Sequence, residues 1–136
     1  MSLHLLDADT IIDYTANFLT TKSFIDALAA AQQTLCTCAV VLAEVYTGLR
    51  PEHAMRGEEL FSSLLFLPTS DGAGRQAGRW RYAYARRGIQ LSTTDMLIAA
   101  TALEHGARIV TANLKDYPMP EIDLLPLPRA RRNGSV

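Results

Sequence analysis

Short apolar runs alternate with longer segments of helical periodicity along this chain. Runs rich in β-favouring residues predict strands at Leu3–Leu6, Thr34–Thr37, Leu65–Leu67, Arg108–Thr111 and, at a sheet edge where proline is tolerated, Leu124–Leu127. Apolar positions that recur every three or four residues predict helices at about Asp9–Asn17, Thr20–Gln33, Ala39–Leu49, Pro51–Leu64, Asp71–Arg87 and Ser92–Gly106. This alternation is typical of a layered α/β fold with a parallel sheet.

The same periodicity predicts which side chains face inward. Met55 is expected on the inner side of the fourth helix, and Leu103 within the wide apolar face of the sixth. Asp9 is expected to cap the first helix, and Asp13, one turn later, to face water.

Composition and charge describe an ordinary globular chain. Its 136 residues suffice for one domain, with 49% hydrophobic and 20% charged residues and a net charge of −1. We expect neither a signal peptide nor a membrane span, because the chain lacks a basic start before an apolar core and an apolar run of ~20 residues. Cys36 and Cys38 lack the spacing of zinc or redox motifs and are expected to be core thiols. Together these features predict a cytoplasmic protein.

The first predicted strand ends in a carboxylate. Asp7 follows Leu6 directly, and Asp9 stands two residues later. Parallel sheets place ligands at the carboxyl ends of their strands, and acids buried there are costly unless something positive neutralises them. Taken singly, Asp7 also fits a satisfied acid at a strand end, and Asp9 a helix cap.

Two further carboxylates lie on predicted helices. Glu44 shares its helix face with apolar residues, so it either forms a core salt bridge with an arginine or belongs to a site. Asp95 stands three residues after Ser92, the spacing of a capping box, which by itself explains an acid there. Asp95 also precedes Ile98 by about one turn, on the side expected to face the sheet.

Asp116 and Asn113 follow the fourth predicted strand, where both also fit ordinary turn residues. These separate explanations do not account for a convergence of Asp7, Glu44, Asp95 and Asp116 at one sheet edge. Four carboxylates in one place repel one another, and hard oxygen ligands select Mg²⁺ or Mn²⁺, as one or two ions. Such ions serve phosphoryl chemistry by activating a water and stabilising the leaving oxygen.

Four segments, in this order along the chain, resemble the motifs of the PIN domain family and, given the compact size, of VapC-type toxin ribonucleases. They are Leu5-Leu6-Asp7-Ala8-Asp9, Leu42-Ala43-Glu44-Val45, Thr94-Asp95-Met96-Leu97-Ile98-Ala99-Ala100 and Val110-Thr111-Ala112-Asn113-Leu114-Lys115-Asp116-Tyr117. The first motif alone is unspecific, whereas the last two in sequence are specific. The resemblance implies a three-layer α/β/α nuclease domain over residues 1–128, with a short central parallel sheet of four to five strands. The polar composition after Pro128 predicts a flexible tail at 129–136.

The resemblance also implies which residues act. Four acids would bind the metal and catalyse, with two assisting residues: Asp7, Glu44, Asp95 and Asp116, then Asp9 and Asn113. The chain departs from the family pattern at Ala8, where many members carry threonine or serine, and at Asp9, where asparagine or serine is common. The extra charge of Asp9 is expected to affect metal affinity. Because all four principal acids are present, the resemblance implies an active enzyme.

A toxin ribonuclease of this type implies specific partners. The expected reaction is hydrolysis of single-stranded or looped RNA, which leaves a 5′-phosphate and a 3′-hydroxyl. The resemblance also implies a homodimer and inhibition by a small VapB-like antitoxin whose C-terminal segment covers the acidic groove. An antitoxin arginine that reaches the carboxylates would substitute for the cation.

The fifth predicted helix carries a basic face. Arg75, Arg79, Tyr82 and Arg86 share one side of it, and arginines beside an aromatic ring can bind phosphates and stack a base. This face either guides RNA or is an ordinary solvated surface. Arginines of the tail, which are Arg129, Arg131 and Arg132, could add to it.

Two other functions remain open on the sequence alone. Asp7-Ala8-Asp9 after a strand also resembles the motif of haloacid-dehalogenase-type phosphatases, in which Asp7 would be a nucleophile. That family needs a lysine and a later acidic pair, and only Lys22 and Lys115 are present in this short chain. The third possibility is a non-catalytic PIN-like module that binds RNA or a protein partner.

Overall fold

The computed structural model describes residues 2–128, so the predicted tail and its arginines lie outside the described residues. Within that range five strands form one wholly parallel sheet in the order β3-β2-β1-β4-β5. The strands are β1 (Leu3–Leu6), β2 (Thr34–Thr37), β3 (Leu65–Phe66), β4 (Arg108–Thr111) and β5 (Leu124–Pro126). The first strand of the chain is therefore the central strand of the sheet.

Six α-helices in the described range cover this sheet. They are α1 (Ala8–Thr15), α2 (Leu19–Ala30), α3 (Ala39–Gly48), α4 (Ala54–Phe61), α5 (Asp71–Ala85) and α6 (Thr93–His105). Parallel strands are joined by right-handed crossovers. The connections from β1 to β2 and β3 therefore place α1 to α4 on one face, and the return to β4 places α5 and α6 on the other. The result is the predicted three-layer fold.

The core lies between the two helical layers and the sheet. Leu5 and Leu6 of β1 and Ile109 and Val110 of β4 are fully buried. Strands covered on both faces are expected to be apolar where they cross the core, and the consecutive apolar pairs at the centre of these two strands fit that expectation, although His4 is buried beside them in β1. This buried centre fixes where β1 and β4 end, and so where the polar residues that follow them emerge.

Several boundaries differ from the prediction. Asp7 caps the first helix and not Asp9, because the helix already begins at Ala8. Pro51 opens a short 3₁₀ turn, and the α-helix starts only at Ala54. Met55 is 77% exposed, because it stands five residues before the buried Leu60 and so lies about 140° away from it around the axis of α4.

Two predictions about exposure are also wrong. Leu103 is 43% exposed, because it lies beyond the buried stretch of α6 that ends at Ala102. Asp13 is only 3% exposed, on the inner side of α1. Cys36 and Cys38 are buried free thiols, as predicted. Among the helices of residues 2–128, none is both long and apolar enough to cross a membrane.

Candidate active site

The strand order places a crevice at the carboxyl edge of β1 and β4. These strands are neighbours, but the chain leaves β1 toward β2 and leaves β4 toward β5, in opposite directions. Open α/β sheets bind ligands at such a point. A cavity of about 420 Å³ opens there, and all six predicted site residues line it, together with four others: Asp7, Asp9, Glu44, Asp95, Asn113 and Asp116, then Ala8, Ile12, Thr47 and Tyr117.

Asp7 is held rigidly at the floor of this cavity. Its side chain caps α1, where Oδ1 accepts a hydrogen bond from the Thr10 amide at 2.9 Å, and Oδ2 accepts one from the Thr111 hydroxyl. The residue is 6% exposed, and burial raises the pKa of its carboxyl, against the hydrogen bonds that lower it. Asp7 is therefore a satisfied strand-end acid that also faces the cavity.

Thr111 supports the site from the end of β4, a role that the sequence pattern does not indicate but the register explains. Leu6 pairs with Val110, so the next residues, Asp7 and Thr111, stand side by side where the two strands end. The Thr111 hydroxyl donates to Asp7 and accepts from the Asn113 amide at 2.9 Å. It connects the first acid to the segment that carries Asn113.

Asp95 serves both of the roles that its position allowed. Its backbone amide donates at 3.0 Å to the hydroxyl of Ser92, which is the N-cap of α6. Its side chain lines the cavity and is partly buried there. Burial raises the pKa of Asp95, and the carboxylates of Asp116, Glu44 and Asp7 raise it further.

The fold therefore gathers carboxylates from four separate segments of the chain into one anionic pocket. Glu44 is half-buried on α3, and Asp116 ends the 3₁₀ turn that follows β4. Salt bridges in residues 2–128 involve other acids, namely Asp26, Glu52, Asp71, Glu104 and Asp123. Within that range, therefore, no basic side chain pairs with any of the four site acids, and the core salt bridge considered for Glu44 is absent.

The two residues predicted to assist contact each other across the seam between β1 and β4. The side-chain amide of Asn113 donates to Asp9 Oδ2 at 2.9 Å. Asp9 belongs to the first turn of α1, and Asn113 follows β4, so this bond joins the two strand ends a second time. It also orients the extra carboxylate that distinguishes this chain from the family pattern.

Tyr117 also lines the cavity, although the family resemblance implies no role for it. It is 4% exposed and follows Asp116 directly. Burial raises the pKa of its phenol, and Asp7, Asp95, Asp116 and Glu44 each raise it further. Tyr117 therefore belongs to the wall of the same cavity as the four acids.

The basic face of α5 does not line the cavity. Arg75 pairs with Asp71 at 3.1 Å, Arg79 contacts Gln76, and the Arg86 guanidinium lies 4.3 Å from the centre of the exposed Tyr82 ring. The face is therefore solvated and partly self-neutralised, and its role in binding RNA stays a prediction.

The donor set fits a hard divalent cation. The pocket offers only oxygen ligands, and burial together with repulsion from the neighbouring carboxylates raises the pKa of Asp95, a charge burden that a cation would relieve. In residues 2–128 no three acidic, histidine or cysteine side chains stand ready to hold an ion directly. Mg²⁺ typically keeps several waters and takes one or two carboxylates, so the cavity suits an ion bound partly through water.

Comparisons with known proteins agree with this architecture. A family model described as PIN domain matches residues 5–117. Ribonuclease VapC19 from Mycobacterium tuberculosis is 26% identical over 119 residues, which cover 86% of this chain and 94% of that protein.

Solved structures give the same result for the fold. A DNA-bound VapBC from Salmonella typhimurium matches with a TM-score of 0.77 at 25% identity, over 93% of this chain and 99% of that chain. VapC20 from Mycobacterium tuberculosis, described as a Sarcin-Ricin loop cleaving toxin, matches with a TM-score of 0.61 at 14% identity, over 88% of this chain and 98% of that one. At that identity the second match concerns the fold alone.

Proposed function

Because the chain belongs to the PIN domain family, we propose that it is a metal-dependent endoribonuclease of the VapC toxin type. It hydrolyses phosphodiester bonds of single-stranded or looped RNA and is held inactive by a cognate antitoxin. The observation that carries this proposal is the cavity at the carboxyl ends of β1 and β4. Four carboxylates line it without a basic partner among the described residues: Asp7, Glu44, Asp95 and Asp116. The similarity to Ribonuclease VapC19 supports RNA as the substrate.

The four acids would hold Mg²⁺ or Mn²⁺, as one or two ions. A bound ion supplies Lewis-acid chemistry, which lowers the pKa of a water and offsets negative charge on the phosphate and the leaving oxygen. Asp7 is the fixed point of the site, because the Thr10 amide and the Thr111 hydroxyl hold both of its oxygens. Asp95, Glu44 and Asp116 complete the anionic wall around it.

Asp9 and Asn113 would assist by keeping the ends of β1 and β4 together through their hydrogen bond. The acidic cavity by itself repels RNA, so attraction has to come from elsewhere on the protein. We assign that role to Arg75, Arg79 and Arg86 on α5 and at its end, whose exposed guanidinium groups can contact phosphates while Tyr82 offers a ring for base stacking.

We propose two protein partners. A VapB-like antitoxin would cover the cavity and place an arginine among the carboxylates in place of the cation. The similarity to VapBC complexes supports this partner. A second copy of the chain would form a homodimer, for which exposed apolar side chains such as Tyr46 and Met55 offer contact area. Action on RNA together with an antitoxin also favours a cytoplasmic location.

The test is cleavage of RNA by purified protein freed of any antitoxin. A panel of structured and unstructured RNAs is incubated with Mn²⁺, with Mg²⁺ and with a chelator, beside the Asp7→Asn and Glu44→Gln variants. We expect 5′-phosphate products only with a divalent ion and the intact acids. Asp26→Asn, which alters an exposed acid on α2 outside the cavity, is the matched control and should cleave as the wild type does.

Other outcomes distinguish the alternatives. A phosphoryl group trapped on Asp7 would indicate the phosphatase. If the protein cleaves none of the RNAs with either ion but still binds RNA or a protein partner, it would be the non-catalytic module.

A further inference from the structure

The Tyr117 hydroxyl is the one polar side-chain group of the cavity that is neither an acid nor bonded to the protein's own atoms among residues 2–128. Two other lining residues carry side-chain donors. The Thr47 hydroxyl donates to the Ala43 carbonyl at 2.9 Å, and the side-chain amide of Asn113 donates to Asp9. No partner of this kind is found for the Tyr117 hydroxyl in the described part of the chain, although the residue is 4% exposed.

The surroundings of this hydroxyl define what it can bind. Tyr117 lines the same cavity as the four acids, and all four also act on its phenol electrostatically: Asp7, Asp95, Asp116 and Glu44. A phenol is both a donor and an acceptor, and it donates one hydrogen bond while neutral. All charged side chains that line the pocket are carboxylates, which accept hydrogen bonds and whose negative charge repels a phosphate.

We propose that the Tyr117 hydroxyl donates a hydrogen bond to a non-bridging oxygen of the scissile phosphate. This inference rests on the proposed function and adds a substrate contact to it. It gives the acidic site a neutral donor of its own, fixed by a buried ring, at the point where the phosphate has to approach the carboxylates. Donors fixed in advance around a reacting group stabilise the transition state without reorganising.

The backbone explains how the donor is positioned. Asn113, Asp116 and Tyr117 belong to one short segment, which leaves β4 and passes through a 3₁₀ turn. The segment is fixed at its start, where the backbone amide of Asn113 donates a hydrogen bond to the Thr111 hydroxyl. The backbone positions of the acid and the phenol are therefore set by the same turn.

The test is Tyr117→Phe, which removes the hydroxyl and keeps the ring. With an oligoribonucleotide that the wild type cleaves, we expect kcat/KM to fall by about 10- to 100-fold, the usual effect of losing one hydrogen bond to a charged group. Mn²⁺ affinity, measured by calorimetry, and thermal stability should stay within error of the wild type. Tyr84→Phe is the matched control, since Tyr84 is buried on α5 away from the cavity, and its activity should be unchanged.

A phosphorothioate substrate separates a substrate contact from a purely structural role. Sulfur at the contacted oxygen accepts a hydrogen bond poorly, so the loss from the variant and the loss from one thio diastereomer should be less than additive. Additive losses with both diastereomers, or full activity of Tyr117→Phe, would overturn the inference and leave the nuclease proposal intact. Absence of any cleavage by the wild type with Mn²⁺ would instead overturn the proposed function, and this inference with it.

Discussion

At the scale of single residues, structural and functional explanations of the same acid coexist. Asp95 belongs to the capped first turn of α6, and its carboxylate also faces three other acids. Asp7 caps α1 and forms the floor of the cavity. The capping pattern of Asp95 is therefore visible in the sequence and correct, but it cannot show that the same side chain also faces a shared cavity.

Asp95→Asn should separate stability from function. The raised pKa of Asp95 means that the folded state holds this proton more tightly than the unfolded state does, so the free energy of unfolding falls as pH rises above the ordinary value of 3.8. At neutral pH, without a divalent ion, the variant should therefore melt at a higher temperature than the wild type. Its RNA cleavage should fall by at least about 100-fold, since a metal site contributes several kcal/mol to the transition state.

The control for Asp95→Asn is Asp71→Asn, which removes a first-turn acid from α5. It should not melt above the wild type, because Asp71 lies outside the cavity and pairs with Arg75. An Asp95→Asn variant that melts below the wild type in chelator would contradict the repulsion described for the four acids.

Thr111→Val tests the support of Asp7. The fully buried hydroxyl donates to Asp7 and accepts from the Asn113 amide, so its loss should lower the free energy of unfolding by about 1–3 kcal/mol. It should also weaken Mn²⁺ binding by about 10- to 100-fold, as the loss of an outer-shell partner does. Thr101→Val removes an equally buried hydroxyl that bonds to Leu97 and Thr69, away from the cavity, and should affect stability alone. Equal Mn²⁺ affinity in both variants would contradict the supporting role.

His4 should make the fold sensitive to acid. The residue is 3% exposed in β1, and burial lowers the pKa of its imidazole, against a hydrogen bond to the Ser2 carbonyl that raises it. The unfolded chain then binds the proton more readily than the folded chain, so the free energy of unfolding should fall as pH drops below the ordinary value of 6.5. Denaturant unfolding between about pH 7.5 and 5 measures this slope, and His4→Gln should flatten it. A slope unchanged in the variant would exclude His4 as its source.

At the scale of elements, the sequence pattern predicts the kind and order of every strand and α-helix among residues 2–128, but it misses both 3₁₀ turns and several element ends. Met55 and Leu60 are both predicted to face inward, yet they lie about 140° apart around the axis of α4, and only Leu60 is buried. The pattern of the first helix alone predicts that Asp13 faces solvent, yet the residue is buried on the inner side of α1. The hydrophobic periodicity of one helix does not show how much of that helix's surface the neighbouring elements bury.

The basic face of α5 provides a prediction at this scale. Arg75→Glu together with Arg79→Glu should weaken RNA binding and flatten its salt dependence by about 0.7 in the logarithmic slope for each phosphate that the variant no longer neutralises. Arg75 is already partly neutralised by Asp71, so the larger share should come from Arg79. Lys22→Glu on α2 is the control, and the change in salt slope is compared after dividing by the change in net charge of each variant. A salt slope equal to that of the wild type would leave this face an ordinary solvated surface.

At the scale of the whole molecule, the convergence of the acids follows from strand order. Alternating strands and helices predict the parallel sheet, but neither pattern nor spacing says that β1 and β4 are neighbours. The structure supplies that order, and the register then places Asp7 beside Thr111. The contacts of Thr111 and the surroundings of Tyr117 lie beyond the sequence because they depend on which segments meet.

The most direct test of the account is calorimetric titration of Mn²⁺ into the protein at neutral pH, beside variants that remove one carboxylate each. The account predicts that the wild type binds Mn²⁺ and that Asp7→Asn, Glu44→Gln and Asp116→Asn each weaken the affinity by at least about 10-fold. Asp26→Asn, outside the cavity, should bind as the wild type does. Failure of the wild type to bind Mn²⁺, or equal affinity in all four variants, would contradict the claim that these acids form one metal site.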